Sequence, residues 1–421
     1  MNYVISNAWA LLLGMMLLQV GNGLQGTLLA VRGDIEGFDP GTLSLIMSGY
    51  FVGFLGGSRL APWMIRRVGH VRVFAALASF ISAIFILYAI IVHPAAWILL
   101  RIAVGFCFSG VYVVAESWLN DMATNETRGQ ALSAYLIVQM IGIISAQSFV
   151  NFADPSGFEL FIVISILVSI SFAPILLSIS PAPSFQRTKP MSIGALFRVS
   201  PLGCVGMFFL GALFAALFGM SAVYATQKSM SLADLSLFVA MIYVGGLVLQ
   251  YPIGYISDRM DRRFLIALTT GGGAILIFLA LPYSGNFAVS LVLAFAMGGI
   301  SNPLYSLLIA YTNDYLDHDD MAAASGGLLF LNGIGAIIGP LMVGQIMARF
   351  GPDSYFAFVA SVFALIAAYA AYRMTQRPAI ATEDTGTFTA LTPHTTAVGL
   401  EVAQEIAIDQ AIDEEGDQND T

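Results

Sequence analysis

Twelve apolar runs of roughly 20 residues each follow one another along the first 373 residues of this chain. A run of this length crosses a hydrocarbon core about 30 Å thick as a single α-helix. The chain is 58% hydrophobic and only 10% charged, so a soluble fold of 421 residues could not bury its apolar surface. The sequence therefore predicts an all-α integral membrane protein with spans at residues 7–31, 41–65, 73–92, 95–119, 130–153, 158–179, 202–227, 233–256, 264–283, 287–311, 322–348 and 354–373.

The basic residues are divided unevenly between the two sides that these spans define. If both termini are cytoplasmic, 12 of the 17 Lys and Arg residues lie on cytoplasmic loops or the C-terminal tail, and only Arg32, Lys228 and Arg349 lie on the other side. Cationic loops resist translocation across the membrane. The distribution therefore predicts a multi-pass protein with both termini in the cytoplasm.

The net charge of −9 belongs to the C-terminal tail. Residues 374–421 contain ten carboxylates and one arginine, whereas the rest of the chain is balanced. The tail is polar and low in aromatic residues, a composition typical of disordered segments. We interpret residues 374–421 as an acidic, disordered cytoplasmic tail, in which residues 398–412 form at most one short amphipathic helix. A partner-binding role for this tail is the alternative.

The membrane part of the chain is duplicated. Gly57 has a counterpart in Gly254, and Asn120-Asp121 has a counterpart in Asn313-Asp314, at an offset near 195 residues. Such internal symmetry is typical of secondary transporters. We predict two pseudo-symmetric six-helix bundles, at residues 1–180 and 201–373, joined by a proline-bearing cytoplasmic linker at residues 181–200.

Small residues line one stripe of two helices. Gly49, Gly53 and Gly57 recur at intervals of four in the second span, and Gly335 and Gly339 do so in the eleventh. Small residues on one stripe let membrane helices approach closely. This pattern is compatible with static packing and equally with a sliding contact between the two halves.

Several motifs are similar to those of a known transporter family. The loop G-Y-I-S-D-R-M-D-R-R (residues 254–263) and the pair Arg101-x-x-x-Gly105 resemble motifs of the major facilitator superfamily. Within that family, V-V-A-E-S-W (113–118), T-R-G-Q-A-L-S-A-Y (127–135) and Q-Y-P-I-G (250–254) are similar to the YcaD-like subgroup. The resemblance covers nearly all of residues 1–375. It implies the major facilitator fold, alternating-access transport and, together with the short loops, a bacterial cell inner membrane.

Two features depart from the family pattern. The first basic loop has Pro62 and Trp63 where the superfamily usually has an acidic-basic pair, so the gate of the first half is expected to close differently. The glycine-proline motif of antiporters is absent from the fifth span, and Gly335-x-x-x-Gly339-Pro340 appears in the eleventh instead. The second departure argues against a typical drug antiporter of the superfamily and leaves export open.

Charged residues at the cytoplasmic helix ends are predicted to form a gate. Pairs of this kind are strong when well aligned and costly to break, which suits a two-state latch. Their alternative role is to set topology alone. The predicted members in the first half are Arg66, Arg67, Arg72, Glu116 and Asp121, and those in the second half are Asp258, Arg259, Arg262, Arg263 and Asp314.

One arginine and several uncharged polar groups lie inside the predicted spans. Arg101 is about 9 Å from the outer end of its helix, at 1.5 Å per residue. Three roles are open for it: contact with an anionic substrate group, indirect proton movement through waters, or donation to backbone carbonyls of neighbouring helices. Each amide either contacts a ligand or forms a bond between helices. The candidate substrate-binding residues are Gln19, Asn22, Arg101, Gln139, Tyr243, Asn302 and Asn332.

The sequence contains no Asp or Glu at mid-depth, no nucleotide-binding loop, no metal cluster and no nucleophile-base set. We therefore expect no cofactor, no metal, no catalytic residue and no nucleic-acid partner. The predicted function is secondary active or facilitative transport of a small organic molecule, with or without coupling to protons, by a monomer in the bilayer. The alternative is a transporter-like sensor or assembly partner that signals through its acidic tail.

Overall fold

The computed structural model describes residues 2–123, 127–177, 191–381, 385–386, 388–391, 395–396, 398–400 and 402–404. The predicted linker residues 181–190 and the final residues 405–421 lie outside this part. All regular structure in the described residues is helical. The membrane helices, numbered in chain order, are α1 (Asn2–Ile35), α2 (Pro40–Val68), α3 (His70–Ile90), α4 (Pro94–Met122), α5 (Arg128–Phe149), α6 (Glu159–Ser171), α7 (Pro201–Gln227), α8 (Leu232–Ser257), α9 (Arg262–Ala280), α10 (Phe287–Asn313), α11 (His318–Phe350) and α12 (Ser354–Gln376).

The described helices match the twelve predicted spans in order. Eleven of them are long and apolar enough to cross a bilayer, and α6 is shorter. The sixth predicted span contains α6 and a second short helix, Ala173–Leu177. Because Pro174 has no N–H group to donate to the preceding turn, the helix is interrupted at Phe172. The fold is therefore the predicted all-α membrane architecture, with one broken helix.

Local signals set several helix ends. The side chain of Asp39 caps α2 by accepting hydrogen bonds from the backbone N–H groups of Gly41 (2.8 Å) and Thr42 (3.1 Å). Glycines with positive φ end two other segments: Gly69, at φ 87°, separates α2 from α3, and Gly351, at φ 84°, separates α11 from α12. These short connections keep consecutive helices antiparallel and adjacent.

The helices pair in the same pattern in each half of the chain. In the first half α1 packs on α5, α2 on α4 and α3 on α6. In the second half α7 packs on α11, α8 on α10 and α9 on α12. A shift of six helices maps the first set of pairs onto the second. The molecule is thus built from two pseudo-symmetric six-helix bundles.

Glycines allow the closest helix pairs to touch. A Cβ atom on Gly53 of α2 would lie 1.8 Å from the carbonyl oxygen of Ile102 on α4. A Cβ atom on Gly298 of α10 would lie equally near, at 1.8 Å, to the carbonyl oxygen of Ile242 on α8. Gly335 of α11 approaches the backbone of α7 in the same way. Each of these contacts lies within one bundle, so these glycines serve static packing and not a sliding surface between the halves.

The two bundles touch each other through α2 and α11, through α5 and α8, and through α1 and α7. The hydroxyl of Ser48 on α2 donates to the carbonyl oxygen of Ile337 on α11 at 2.8 Å. Further along the same pair of helices, a Cβ atom on Gly344 would lie 2.3 Å from the Cβ of Ser44. These pairs, together with a smaller contact between α2 and the Ala216–Met220 segment of α7, form the interface between the bundles.

Candidate functional site between the bundles

The two ends of the molecule differ in charge. The α2–α3 and α8–α9 connections lie at one end, which we call the basic end because Arg66, Arg67, Arg259, Arg262 and Arg263 surround them. The end that carries the α1–α2 and α7–α8 connections is called the opposite end. The candidate site lies between these two ends.

The bundles are joined directly at the opposite end. The amide of Gln227 on α7 donates to the carboxylate of Asp34 on α1 at 2.9 Å. The amide of Asn151, just after α5, donates to the hydroxyl of Ser236 on α8 at 3.1 Å. Both bonds connect the first half of the chain to the second. The two bundles are therefore held together by hydrogen bonds at the opposite end.

A cavity of about 640 Å³ lies between the bundles toward the basic end. Its walls come from both halves: α5 contributes Leu132 and Leu136, α8 contributes Gln250, and α10 contributes Asn302. Residues 388–391 of the C-terminal tail complete the wall. The lining is largely apolar with a few amides, as in many small-molecule sites.

Three predicted candidates on the first bundle form one hydrogen-bonded network. The amide of Gln19 donates to the side-chain oxygen of Gln139 at 2.8 Å, which joins α1 to α5. The hydroxyl of Tyr112 on α4 donates to Gln19 at 2.8 Å and accepts from the amide of Asn22 at 3.3 Å. Gln19 and Gln139 are buried. The structure therefore brings these amides together as a link between α1, α4 and α5.

Arg101 on α4 is buried, with 6% of its surface exposed. Its guanidinium donates to the side-chain oxygen of Gln25 and, at 3.5 Å, to the sulfur of Met47. It also lies 5.1 Å from the ring centroid of Tyr50. Among the described residues, no carboxylate forms an ion pair with Arg101. A buried cation surrounded by an amide, a thioether and an aromatic ring is a candidate group for binding an anion.

The hydroxyl groups around Arg101 are not fully satisfied. The Tyr50 hydroxyl lies near Tyr112 and Asn22, and the Tyr88 hydroxyl lies near Gln25. Neither hydroxyl forms a hydrogen bond of normal geometry in the described structure, nor does the amide nitrogen of Gln25. Buried polar atoms normally find a partner. Their concentration around one buried guanidinium indicates a polar spot that a ligand or ordered water would complete.

The candidate Tyr243 on α8 contacts an aromatic residue that sequence reasoning missed. Its ring stacks on Phe218 of α7, with centroids 4.9 Å apart and an interplanar angle of 14°. Phe218 lies in a π-helical segment, Ala216–Met220, that interrupts α7. Such segments are frequent at functional sites. A π-helical turn has no reliable sequence signal, so the position of Phe218 could not be predicted.

The two remaining polar candidates differ in their environment. Asn302 lines the cavity, and its side-chain oxygen has no partner in the described residues. Asn332 donates to the backbone carbonyl of Met207 on α7 at 3.1 Å, within the second bundle. The geometry therefore favours ligand contact for Asn302 and helix packing for Asn332.

The predicted gate of the second half assembles around one arginine. Arg262 forms an ion pair with Asp314, and only 2% and 4% of the two side chains are exposed. Arg262 also lies 3.5 Å from Asp258 and donates to the hydroxyl of Ser257 at 3.1 Å. Burial raises the pKa of the Asp314 carboxyl, and the charge of Arg262 opposes that shift. This cluster joins α8, α9 and α10 within the second bundle.

The other two arginines of this loop do not face Asp314. Arg259 lies 3.6 Å from the ring centroid of Tyr255, one turn away on the chain. Arg263 pairs with Asp261 at 2.8 Å and donates to the carbonyl oxygen of Arg377 at 2.6 Å. Spacing alone could not distinguish the three, because neighbouring residues of a loop point in different directions.

The gate predicted in the first half is not assembled as ion pairs in this structure. In the described part of the chain, neither Arg66, Arg67 nor Arg72 forms an ion pair with Glu116 or Asp121. Arg67 lies 5.4 Å from the ring centroid of Trp63, one of the residues that depart from the family pattern. The carboxylate of Glu116 has different partners, on the C-terminal tail.

The described residues between 385 and 404, which we call the docked tail, bind three predicted gate carboxylates. The backbone N–H of Gly386 donates to Asp314 at 3.2 Å, and that of Phe388 donates to Asp258 at 2.8 Å. Glu116 accepts from the backbone N–H groups of Thr396 and Gly399, each within 3.1 Å, and from the Thr396 hydroxyl. The tail thus connects the second bundle to the first.

The docked tail is also held by apolar burial. Leu391, Leu400 and Val402 are 2%, 0% and 6% exposed, and the ring of Phe388 lies against Gly254 of α8. This part of the chain differs from the disordered extension that its composition predicts. The reason is local: residues 388–403 contain a cluster of small and apolar side chains that the acidic remainder of the tail masks in an average over the whole segment.

The chain matches a known family along most of its length. The model of the Major Facilitator Superfamily matches residues 11–242 and 203–401. An uncharacterised MFS-type transporter of Yersinia pestis (strain Pestoides F) is 24% identical over 354 residues, with 84% of this chain and 92% of the relative covered. The uncharacterised MFS-type transporter YcaD of Escherichia coli O139:H28 is 25% identical over 355 residues, with the same coverage of 84% and 92%.

Solved structures of similar fold include two kinds of transporter. The nucleoside transporter NupG superposes with a TM-score of 0.71 at 16% identity, over 90% of this chain and 100% of that chain. A bacterial homolog of the human lysosomal transporter Spinster, in an inward-facing and unoccupied conformation, superposes with a TM-score of 0.67 at 13% identity, over 97% and 98%. At these identities the likeness concerns the fold.

Proposed function

Because the chain belongs to the major facilitator superfamily, a family of membrane transporters, we propose that it moves a small organic molecule across the bilayer by alternating access. The predicted resemblance to YcaD-like transporters is confirmed by the relatives of that name. In this proposal the bundles of residues 1–180 and 201–373 rock against each other about a central site, as a monomer that needs no cofactor.

One observation carries the proposal. The cavity between α5 and α8 is walled by both bundles, while the bundles are hydrogen-bonded to each other at the opposite end. This is the arrangement expected of one end state of a rocking carrier. Its volume of about 640 Å³ suits a small organic molecule.

Arg101 and its surroundings support a substrate that carries a carboxylate or a similar anionic group. The guanidinium has no described carboxylate partner and is flanked by the unsatisfied hydroxyls of Tyr50 and Tyr88. An anionic group would satisfy the cation and these donors together. Asn302 and Tyr243, on the other bundle, are the proposed contacts for the uncharged remainder.

The basic end is proposed to face the cytoplasm of a bacterium, with both termini on that side of the inner membrane. The support is the excess of Lys and Arg on the connections at that end. In this orientation the cavity opens inward. Coupling to protons would have to use Arg101 or the gate carboxylates, since the predicted spans contain no acid at mid-depth.

Flux into proteoliposomes tests the proposal. A panel of neutral and anionic metabolites, nucleosides included, is screened with and without a pH gradient. In the double variant Asn151→Cys/Ser236→Cys, oxidation should lock the opposite end closed and stop flux, and a reductant should restore it. The single variants, oxidised in parallel, are the controls. Unchanged flux in the oxidised double variant, with the disulfide shown to be formed, would contradict alternating access.

A further inference from the structure

The docked tail lies in the space that a carrier must use at its basic end. Residues 388–391 form part of the cavity wall, and Thr396 and Gly399 reach Glu116 on the first bundle. Gln404 then returns to the second bundle, where its amide donates to Asn313 at 3.3 Å and to the backbone carbonyl of Met321 at 3.1 Å. The segment therefore crosses between the bundles twice.

The carboxylates that hold the docked tail are those predicted to form the gate. Glu116, Asp258 and Asp314 each accept a backbone N–H group from the tail. Every hydrogen bond described for Glu116 comes from the tail. On the first bundle the tail supplies donors to Glu116, where the arginines of the α2–α3 connection are predicted to act. On the second bundle the tail binds Asp258 and Asp314 alongside Arg262, which remains paired with Asp314.

From these contacts we propose that the docked tail is an autoinhibitory plug of the transporter. It covers the cavity at the basic end and keeps the two bundles apart there, so it must leave before substrate passes and before that end closes. The inference rests on the proposed transport function and specifies how the site is regulated. Glu116 is the anchor on the first bundle, and Asp258 with Asp314 are the anchors on the second.

The arrangement explains why the gate of the first half is unpaired. The tail donors to Glu116 converge on Oε2, and the described bond to Oε1 comes from the Thr396 N–H at 3.2 Å, so an arginine of the α2–α3 connection would compete with the tail for this carboxylate. Glu116 is 2% exposed with the tail docked, and release of the tail removes these donors and leaves its carboxylate open to new ones. In the proposal, Arg66, Arg67 or Arg72 replaces the tail as the donor to Glu116. The docked tail and the closed gate of the first half are then alternative states.

Two glycines of the tail offer a matched pair of variants. A Cβ atom on Gly399 would lie 2.8 Å from the carboxyl carbon of Glu116, so Gly399→Val should displace the tail. A Cβ atom on Gly386 would have no heavy atom within 4 Å, so Gly386→Ala should leave the tail in place. Neither residue belongs to the cavity or to the membrane helices.

Docking is read out by the accessibility of one cysteine. In a chain with Cys107 and Cys204 replaced by serine, Ala403→Cys introduces a thiol at a position that is 3% exposed when the tail is docked. We expect a maleimide to label it at least tenfold more slowly than in the same chain with Gly399→Val. Equally fast labelling in both chains would overturn the docked state.

Inhibition is read out by flux of the substrate found in the proteoliposome screen. If about a tenth or less of the full-length molecules are undocked, full undocking raises the transport rate about tenfold. We therefore expect Gly399→Val and a chain ending at Ile380 to transport roughly tenfold faster than the full chain or Gly386→Ala. Measurable flux that is unchanged or reduced in both undocked chains would overturn the plug and leave transport standing. Absence of flux in every chain, with slow labelling of Ala403→Cys, would overturn transport and the inhibitory role together.

Discussion

The backbone N–H of Thr396 donates to the carboxylate of Glu116, 280 residues earlier in the chain, at 3.1 Å. This bond joins the C-terminal tail to the transmembrane helix α4 and buries both groups. The bond revises the interpretation of two sequence features, the acidic tail and Glu116. The tail binds a predicted gate residue, and Glu116 is its proposed anchor on the first bundle.

Glu116→Gln is expected to loosen the tail. Glutamine replaces one acceptor oxygen of the carboxyl group with an NH₂ donor, which would oppose the N–H groups or the hydroxyl that the tail directs at this site. We expect Ala403→Cys to be labelled about tenfold faster in this variant. Asp121→Asn, an exposed position on the same helix without a described bond to the tail, is the control. Equal labelling rates in the two variants would remove Glu116 as the anchor.

Arg262→Ala should destabilise the protein far more than Arg259→Ala. Loss of Arg262 leaves Asp314 buried without its counter-charge, at a cost of about 3–5 kcal/mol. Arg259 is an exposed-surface residue stacked on Tyr255, and its loss should cost less than about 0.5 kcal/mol. Thermal unfolding in detergent measures both. Because the two residues interact directly, adding Asp314→Ala to Arg262→Ala should restore part of the lost stability. If the stability losses of the two single variants simply add in the double variant, the buried ion pair is contradicted.

Arg101→Gln is expected to impair transport while sparing stability. A hydrogen bond to a charged group contributes about 1.5–3 kcal/mol, so flux of an anionic substrate should fall about 10- to 100-fold. No described carboxylate depends on this guanidinium, so the midpoint of thermal unfolding should stay the same or rise. Arg101→Lys keeps the charge and should retain part of the flux. A large drop in the unfolding midpoint with normal flux would make Arg101 a structural residue.

Asp39→Ala should weaken the start of α2 in a pH-dependent manner. Hydrogen bonds from Thr42, followed by those from Gly41, lower the pKa of the Asp39 carboxyl. Because the folded pKa is below the unfolded value, the cap stabilises the protein above the unfolded pKa and loses its effect as the pH falls through the folded pKa. The variant should lose about 1 kcal/mol near neutral pH. The gap between the unfolding midpoints of the variant and the natural chain should narrow from pH 6 to pH 3; a constant gap would contradict this assignment.

The sequence predicted the fold in most of its detail. Twelve apolar runs, the repeat of Gly57 at Gly254 and the repeat of Asp121 at Asp314 lead to two six-helix bundles. The spans can be recognised in the sequence because each one must satisfy the bilayer independently. Every span must be apolar over about 20 residues, whichever helices it packs against. Arg101 could be identified as a candidate in the same way, because charged residues are rare inside membrane spans.

The roles of individual side chains were decided by the tertiary structure. Gly53 packs against α4 within its own bundle, Arg262 and not Arg259 faces Asp314, and Asn332 bonds to the backbone of α7. Helix periodicity restricts which faces are apolar but not which neighbour each face meets. Hydrogen-bond partners depend on the direction of one side chain, which residue type and spacing leave undetermined.

What the sequence determined by itself is therefore the number, the order and the internal repeat of the membrane helices, because each span must be apolar on its own. The docking of the tail was decided only in three dimensions. Its donors to Glu116, Asp258 and Asp314 are mainly backbone N–H groups. Because nearly every residue has such a group, no sequence pattern predicts these bonds. The carboxylates that receive them come together only after both bundles have folded.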